Sequence, residues 1–445
     1  MIIYRVVLLI GLVTCAVTSV NAQNPIIQTN YTADAASLVH NDRFYIYAGR
    51  DQASITAQWF HMREWRIYSS DDMVNWTDHG PKLRPTDFSW ASGDAWASEC
   101  IYHKGKFYWY ITAHHRELGT KAICVAVSDS PIGPFVPVRE TPLITSEMTP
   151  TTGRFGFDEI DPTVFVDDDG QAYMYWGNGV CKYVKLNDDM ISFSGEIHEV
   201  KLAKYGEAPW LQKINGTYYL SYSSNSPSTI EYATGPSATG PWEYKNRILE
   251  IVENCVTSHQ AITEFKGKWY LVYHNGTLPE GGSFRRSVCI DEFSFNPDGS
   301  IPMITPTKEG IKESISKLNP YKRTEAETIA WSEGLTAEYD NTTGVYVTNI
   351  NNGDYIKVRD VDFGKGTKGF EASVASASKG GSIEIRIGTV DGKLLGTCEV
   401  KTTGGWQNWE THSTKIKSTK GVHDLYLIFK GADGELFNFD WWKFR

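Results

Sequence analysis

Lys106-Phe107-Tyr108-Trp109-Tyr110-Ile111 follows a Lys104-Gly105 turn signal and is almost wholly apolar and aromatic. A run this short, rich in aromatic side chains and entered through a turn, reads as a buried strand rather than a helix. The same pattern recurs at Arg43–Gly49, Gln171–Gly177, Thr217–Tyr222 and Lys268–Tyr273. Turn signals precede these at His40-Asn41-Asp42, Asp168-Asp169-Gly170, Asn215-Gly216 and Lys266-Gly267. The strands begin near residues 43, 106, 171, 217 and 268, a repeat of about 45–65 residues. A propeller blade of four strands needs about 40–50 residues plus loops. The expected class is therefore all-β, with a five-bladed β-propeller over residues 23–310. Ahead of the five turns stand Asp34, Glu99, Asp161, Glu207 and His259. One polar residue at a similar place in every repeat predicts that all five converge on a shared cavity.

Outward from this repeat, residues 1–22 read as a signal peptide. Arg5 supplies the basic start, Val6–Val13 the apolar run and Val20-Asn21-Ala22 the small-residue cleavage site. Secretion or a periplasmic location is expected; a lipoprotein signal ending at Cys15 is the alternative. Lys308–Leu318 is the one run with helical periodicity, and residues 311–323 read as a polar linker. From 324 to 445, short alternating strands such as Ser382–Ile387 and Asp424–Phe429 predict a β-sandwich of jelly-roll type.

The net charge is −10, and no Lys/Arg cluster stands out. Nucleic acid and anionic membranes are therefore poor partners, and no segment after the leader is apolar enough to span a bilayer. Cys100, Cys124, Cys181, Cys255, Cys289 and Cys398 are scattered without a CxxC pair, which argues against zinc and leaves buried thiols or bridges open. No phosphate loop or dinucleotide fingerprint is present, so no organic cofactor is expected.

Asp34, Asp161 and Glu207 each sit in small or apolar local sequence. A carboxylate so placed needs partners or takes a raised pKa. Carboxyls with split pKa values on opposite sides of a bond are the machinery of glycoside hydrolysis. Trp96 and Trp210, next to the second- and fourth-repeat acids, are candidate sugar-stacking walls or core residues.

The Asp34 segment, Ile160-Asp161-Pro162-Thr163 and Glu207-Ala208-Pro209-Trp210 resemble the three acidic signatures of glycoside hydrolase family 43. Asp72-Met73-Val74-Asn75-Trp76 and Phe284-Arg285-Arg286-Ser287-Val288 add to the resemblance, with Ala35 where the family commonly has Pro. It implies a five-bladed propeller enzyme that inverts configuration. Asp34 would be the general base, Glu207 the general acid and Asp161 the residue that tunes and orients the acid. It further implies calcium near His259 and a sugar-binding role for Arg286, with Arg285 the alternative.

Glu325-Ala326-Glu327, Asn352-Gly353-Asp354-Tyr355, Thr403-Gly404-Gly405-Trp406 and Leu436-Phe437-Asn438-Phe439-Asp440-Trp441 resemble carbohydrate-binding module family 6. Trp406 and Asn438 would bind sugar, with Tyr346 as the second aromatic face because Asn349 occupies the usual Tyr position. Glu325, Glu327 and Asp440 would hold a structural calcium. The combination implies a hydrolase that removes α-L-arabinofuranosyl side chains from plant cell-wall arabinoxylan; a monomer is expected. The alternatives are a β-xylosidase, an enzyme with both activities, and a non-catalytic polysaccharide-binding protein.

Overall fold

The computed structural model describes residues 23–150 and 156–445; the signal-peptide segment and Cys15 lie outside the described residues. The chain is all-β, and its one helical element among the described residues is the short turn Pro85–Asp87. Five antiparallel sheets follow one another along the first two-thirds. The first comprises Thr32–His40, Arg43–Asp51, Met62–Ser70 and Trp76–Leu83. The second is built on Ala91–His103, Lys106–His115 and Lys121–Ser128, and the third on Thr163–Val166, Ala172–Trp176, Cys181–Lys185 and His198–Val200. Glu207–Ile214, Thr217–Ser223, Ile230–Gly235 and Glu243–Leu249 form the fourth, and Ala261–Phe265, Lys268–Asn275 and Ser287–Phe293 the fifth.

Each aromatic segment is the second strand of its sheet and is almost continuously buried. The turns before four of them have consecutive positive φ: Asn41 and Asp42, Lys104 and Gly105, Asn215 and Gly216, Lys266 and Gly267. Two left-handed residues in a row match the twist of a tight hairpin, which is why Asn, Asp and Gly recur there. The first strands pack on one another: Thr32–His40 against Ala91–His103 and Ala261–Phe265, and Thr163–Val166 against Ala91–His103 and Glu207–Ile214. The N-terminal segment runs along the fifth sheet, with Ile26 N–H on Val288 O (2.8 Å) and Ile290 N–H on Asn24 Oδ1 (2.9 Å).

The remaining strands form two facing sheets over a second core. One runs Thr336–Asp340, Gly344–Thr348, Asn438–Phe444, Gly369–Ala375, Glu410–Lys415; the other runs Trp331–Glu333, Tyr355–Asp362, Val422–Lys430, Gly381–Ile387, Lys393–Val400. All six described cysteines are buried free thiols.

Lys308–Leu318 forms no helix; it is an extended strap. Ile315 N–H bonds Asp72 O (3.0 Å) and Leu318 N–H bonds Asp360 O (3.1 Å), so the strap ties both domains together. Thr328–Ile329, from the start of the second domain, adds a strand to the first sheet beside Trp76–Leu83. At Gly80, with φ +77°, a Cβ would lie 2.8 Å from Tyr339 and 2.9 Å from Val345, so a side chain there would block the docking. Asn75 and Arg359 exchange backbone bonds through the Asn75 amide (2.8 and 3.0 Å), and the Arg359 guanidinium donates to Ile311 O (2.8 Å) and Lys312 O (2.6 Å). Arg359→Ala removes charge-assisted bonds of the kind that contribute about 1.5–3 kcal/mol. We expect a loss of about that size in urea denaturation, with faster proteolysis between 311 and 323; unchanged stability would show that docking does not depend on Arg359.

Candidate active site

Asp34, Asp161, Glu207 and His259 line one cavity of about 310 Å³, together with Trp96, Asn178 and Arg286. The heads of the first strands aim these groups. Asp34 and Asp161 have φ +53° and +60°, and Ala208, after Glu207, has +55°. The ladders of the first and fourth sheets slip at Ala33/Ala36 and Glu207/Trp210. A bulge with a left-handed residue turns a side chain out of the ordinary alternation. Asp tolerates that backbone better than most residues.

Arg286 organises one side. Its Nη1 donates to Asp34 Oδ1 (2.8 Å), while Nε and Nη2 grip Asp51 Oδ2 and Oδ1 (2.9 and 3.0 Å). Its guanidinium carbon lies 4.6 Å from the Phe60 ring centre. Burial pushes the Asp34 pKa up, but Arg286, with His274 and His259, outweighs it and holds Asp34 below its ordinary value. His274 accepts the Asp34 backbone N–H at Nδ1 (3.4 Å) and meets Thr257 O at Nε2 (3.0 Å), which assigns the neutral Nε2–H tautomer. Burial, reinforced by Arg286, brings His274 down to about 3.

The other side is dominated by carboxyls. Asp161 is pushed well above the ordinary carboxyl range by burial, then by Glu207 and Asp34. Its Oδ2 accepts the Ala208 N–H (3.0 Å) and its own N–H bonds Thr112 Oγ1 (3.2 Å). Asn178 Nδ2 donates to Glu207 Oε2 (2.6 Å). Trp59, Phe60, Trp96, Phe157 and Phe284 form an aromatic wall. Trp59, 52 % exposed, stacks on Phe157 (5.8 Å).

Two sequence expectations are corrected. Glu99 does not reach the cavity: it is buried, its Oε2 accepts the Val164 N–H (2.7 Å), and burial pushes it up to about 8. Its strand Ala91–His103 slips register three times before residue 98, so its pleat no longer matches the other repeats. Trp210 is no wall either. Its indole is in the core and donates to Ile262 O (3.1 Å), tying the fourth sheet to the fifth. Trp96 does line the cavity, and Arg286 rather than Arg285 faces it; Arg285 bonds Ser54 O (2.7 Å) in a neighbouring loop. Asp51, His274 and Asn178 carry no sequence motif and were missed; only the fold brings them to the site.

In the second domain Trp406 is 36 % exposed. Asn438 lies beneath it with both amide ends engaged, Nδ2 on Trp406 O (2.7 Å) and Oδ1 accepting from Thr348 Oγ1 (2.6 Å), so it pins the loop. The ring that Tyr346 meets is Trp409, edge-on at 5.5 Å. Among the described residues no three His, Cys, Asp or Glu side chains are gathered as a metal cage. Arg323 bridges Glu325 Oε2 (2.8 Å) and Asp440 Oδ1 (3.4 Å). Glu327 is buried with Oε2 lacking a hydrogen-bond partner, and burial, with Glu325, Asp78 and Asp440 adding, pushes it well above its ordinary range. An orphaned carboxylate oxygen among further carboxylates fits a hard cation. At His259 the fit is poorer: Arg286 takes the neighbouring Asp34, so calcium there would depend on water for most of its ligands.

Arg286→Met would leave Asp34 and Asp51 buried and unpaired, at a cost of about 3–5 kcal/mol. Asp51→Asn in the same chain is expected to recover part of it in a double-mutant cycle. Because Asp34 is depressed in the folded state, its contribution is present above the unfolded-state value of about 3.9 and is lost as pH falls through the folded value. Acid denaturation curves that overlay for wild type and Arg286→Met would refute the pairing.

The profile for "Glycosyl hydrolases family 43" matches residues 22–301, and that for "Carbohydrate binding module (family 6)" matches residues 325–445. The chain is 35% identical to an arabinoxylan arabinofuranohydrolase of Bacillus subtilis (strain 168), over 95% of this chain and 92% of that protein. It is 34% identical to xylosidase/arabinosidase 43A of Humicola insolens, over 62% of this chain and 98% of that protein. The crystal structure of a family 43 arabinoxylan arabinofuranohydrolase from Bacillus subtilis, in complex with cellotetraose, superposes with a TM-score of 0.83 at 34% identity, covering 96% of this chain and 98% of that one. The chain is a glycoside hydrolase and belongs to glycosyl hydrolase family 43, with a family 6 carbohydrate-binding module at its C-terminal end.

Proposed function

We propose that this enzyme removes α-L-arabinofuranosyl side chains from plant cell-wall arabinoxylan by single displacement with inversion. The observation that carries the proposal is one cavity holding Asp34, Asp161 and Glu207, with Asp34 pushed toward ionisation and Asp161 away from it. Ionised Asp34 is the general base for water. Glu207 is the acid that protonates the leaving oxygen, held by Asn178. Burial, then the neighbouring Glu207, raises the Asp161 pKa, so double ionisation of the two carboxyls is disfavoured. Inversion requires acid and base about 6.5–9.5 Å apart, with water between.

We take the five sheets as the blades of a propeller. The packing of their first strands on one another and the N-terminal segment bonded along the fifth sheet support closure. The two-sheet domain is taken as a jelly roll presenting Trp406. The leader at residues 1–22 supports export, and a monomer is sufficient because one chain supplies the whole site. The arabinoxylan assignment draws on the B. subtilis relative over nearly the full chain. Calcium is assigned to Glu327 and Asp440 as a structural ion, where its charge would offset the buried carboxylates; no chemical step passes through it.

Incubation with wheat arabinoxylan should release arabinose as the inverted anomer, read by early-time NMR. Glu207→Ala and Asp34→Ala should each cut the rate about 10²–10⁴-fold. Release of xylose would move the assignment to the β-xylosidase activity of other relatives, and binding without release would make the protein a polysaccharide-binding protein. Separately, added calcium should raise the unfolding free energy, by about 2.7 kcal/mol at a hundredfold excess over Kd. Chelator should reverse this and Glu327→Gln abolish it; no response would remove calcium from the protein.

A further inference from the structure

Glu159 and Lys182 form a fully buried ion pair that the chemistry above does not use. Glu159 Oε1 accepts from Lys182 Nζ (2.8 Å) and from the Thr149 hydroxyl, and its Oε2 accepts from the Trp176 indole. Lys182 Nζ also reaches Thr149 Oγ1 (3.3 Å) and Asp158 O (3.4 Å). Trp176 and Lys182 are opposite one another on neighbouring strands, so the two grips on Glu159 come from the two sides of one hairpin.

The loop of that hairpin is bonded to the same stretch of chain. Gly177 N–H meets Ile160 O (2.9 Å) and Asn178 N–H meets Asp158 O (3.4 Å). Gly177 has φ +126°, and a Cβ there would lie 2.2 Å from Val180 O, so the loop has little room to rearrange. Residues 158–161 and 176–179 are thus one braced body. It carries two contacts to the fourth sheet: Asp161 on the Ala208 N–H and Asn178 on Glu207 Oε2.

We propose that the Glu159–Lys182 pair is the positioning element for the catalytic acid, holding Asp161 and Asn178 at fixed distances from Glu207. The proposal rests on Glu207 being that acid. The link from the pair to the acid runs through the braced backbone and the Asp161 and Asn178 hydrogen bonds, so the pair acts through geometry. A buried ion pair can be exchanged for apolar side chains of similar volume with little loss of stability, whereas removing one partner is costly. Fold and positioning can therefore be separated.

The test is the double variant Glu159→Met/Lys182→Met of the full chain, assayed on arabinoxylan and on 4-nitrophenyl α-L-arabinofuranoside. The natural leaving oxygen needs a proton; 4-nitrophenolate leaves without one. A misplaced acid should cost about a hundredfold in kcat on arabinoxylan, with little loss on the nitrophenyl substrate and little change in KM. Lys182→Arg, which keeps the pair, should retain most of the arabinoxylan rate. Equal losses on both substrates, or wild-type rates on both, would overturn the proposal. Should the double variant not fold, Trp176→Phe removes one bond to Glu159 and must show the same selective loss, on a smaller scale. Glu207→Gln is run in parallel: if it lacks the leaving-group selectivity, the acid assignment has failed rather than the positioning role.

Discussion

Arg286 is held between Asp34 and Asp51, and much of the first domain is arranged to make that burial possible. Its charge comes from the residue that precedes the last strand of the fifth sheet, while both carboxylates come from the first sheet. A buried guanidinium is tolerated only when its donors find acceptors. The first and fifth sheets must therefore lie side by side. Once they do, the same cation keeps Asp34 ionised in a cavity that would otherwise neutralise it. At Asp161 the same arginine acts only weakly, and burial with the neighbouring carboxylates wins. The acid–base asymmetry of the cavity follows from where one arginine is placed.

The second domain is not a tethered accessory. A strand added to the first sheet, the strap at residues 311–323 and the close approach at Gly80 make it a continuation of the first sheet. The stretch that reads as helical by periodicity is extended: Ile311 and Ile315 pack on the core of the first domain, while Leu318 packs on the core of the second.

Much of the architecture was legible in the chain. All five aromatic strands are second strands of sheets, because hairpin turns need left-handed residues and buried strands need apolar ones, and both requirements are local. Asp34, Asp161 and Glu207 were legible for the same reason: each heads a repeat. The exceptions are instructive. Glu99 fits the repeat by spacing, yet three register slips turn it into the space between sheets. Trp210 neighbours an acid in sequence, but it follows the bulge after Glu207 and its indole lies in the core, bonded to the fifth sheet.

The sequence by itself determined the all-β class, the number of repeats, the three acids and the identity of the second domain, since each rests on periodicity or on short motifs. Only the tertiary structure decided the partners of those acids. Asp51, His274, Asn178 and Lys182 lie away along the chain from the groups they serve, in segments with no signature of their own. Hydrogen bonds and charge pairing act through space at about 3 Å, and no local pattern records which distant residue the fold will bring that near.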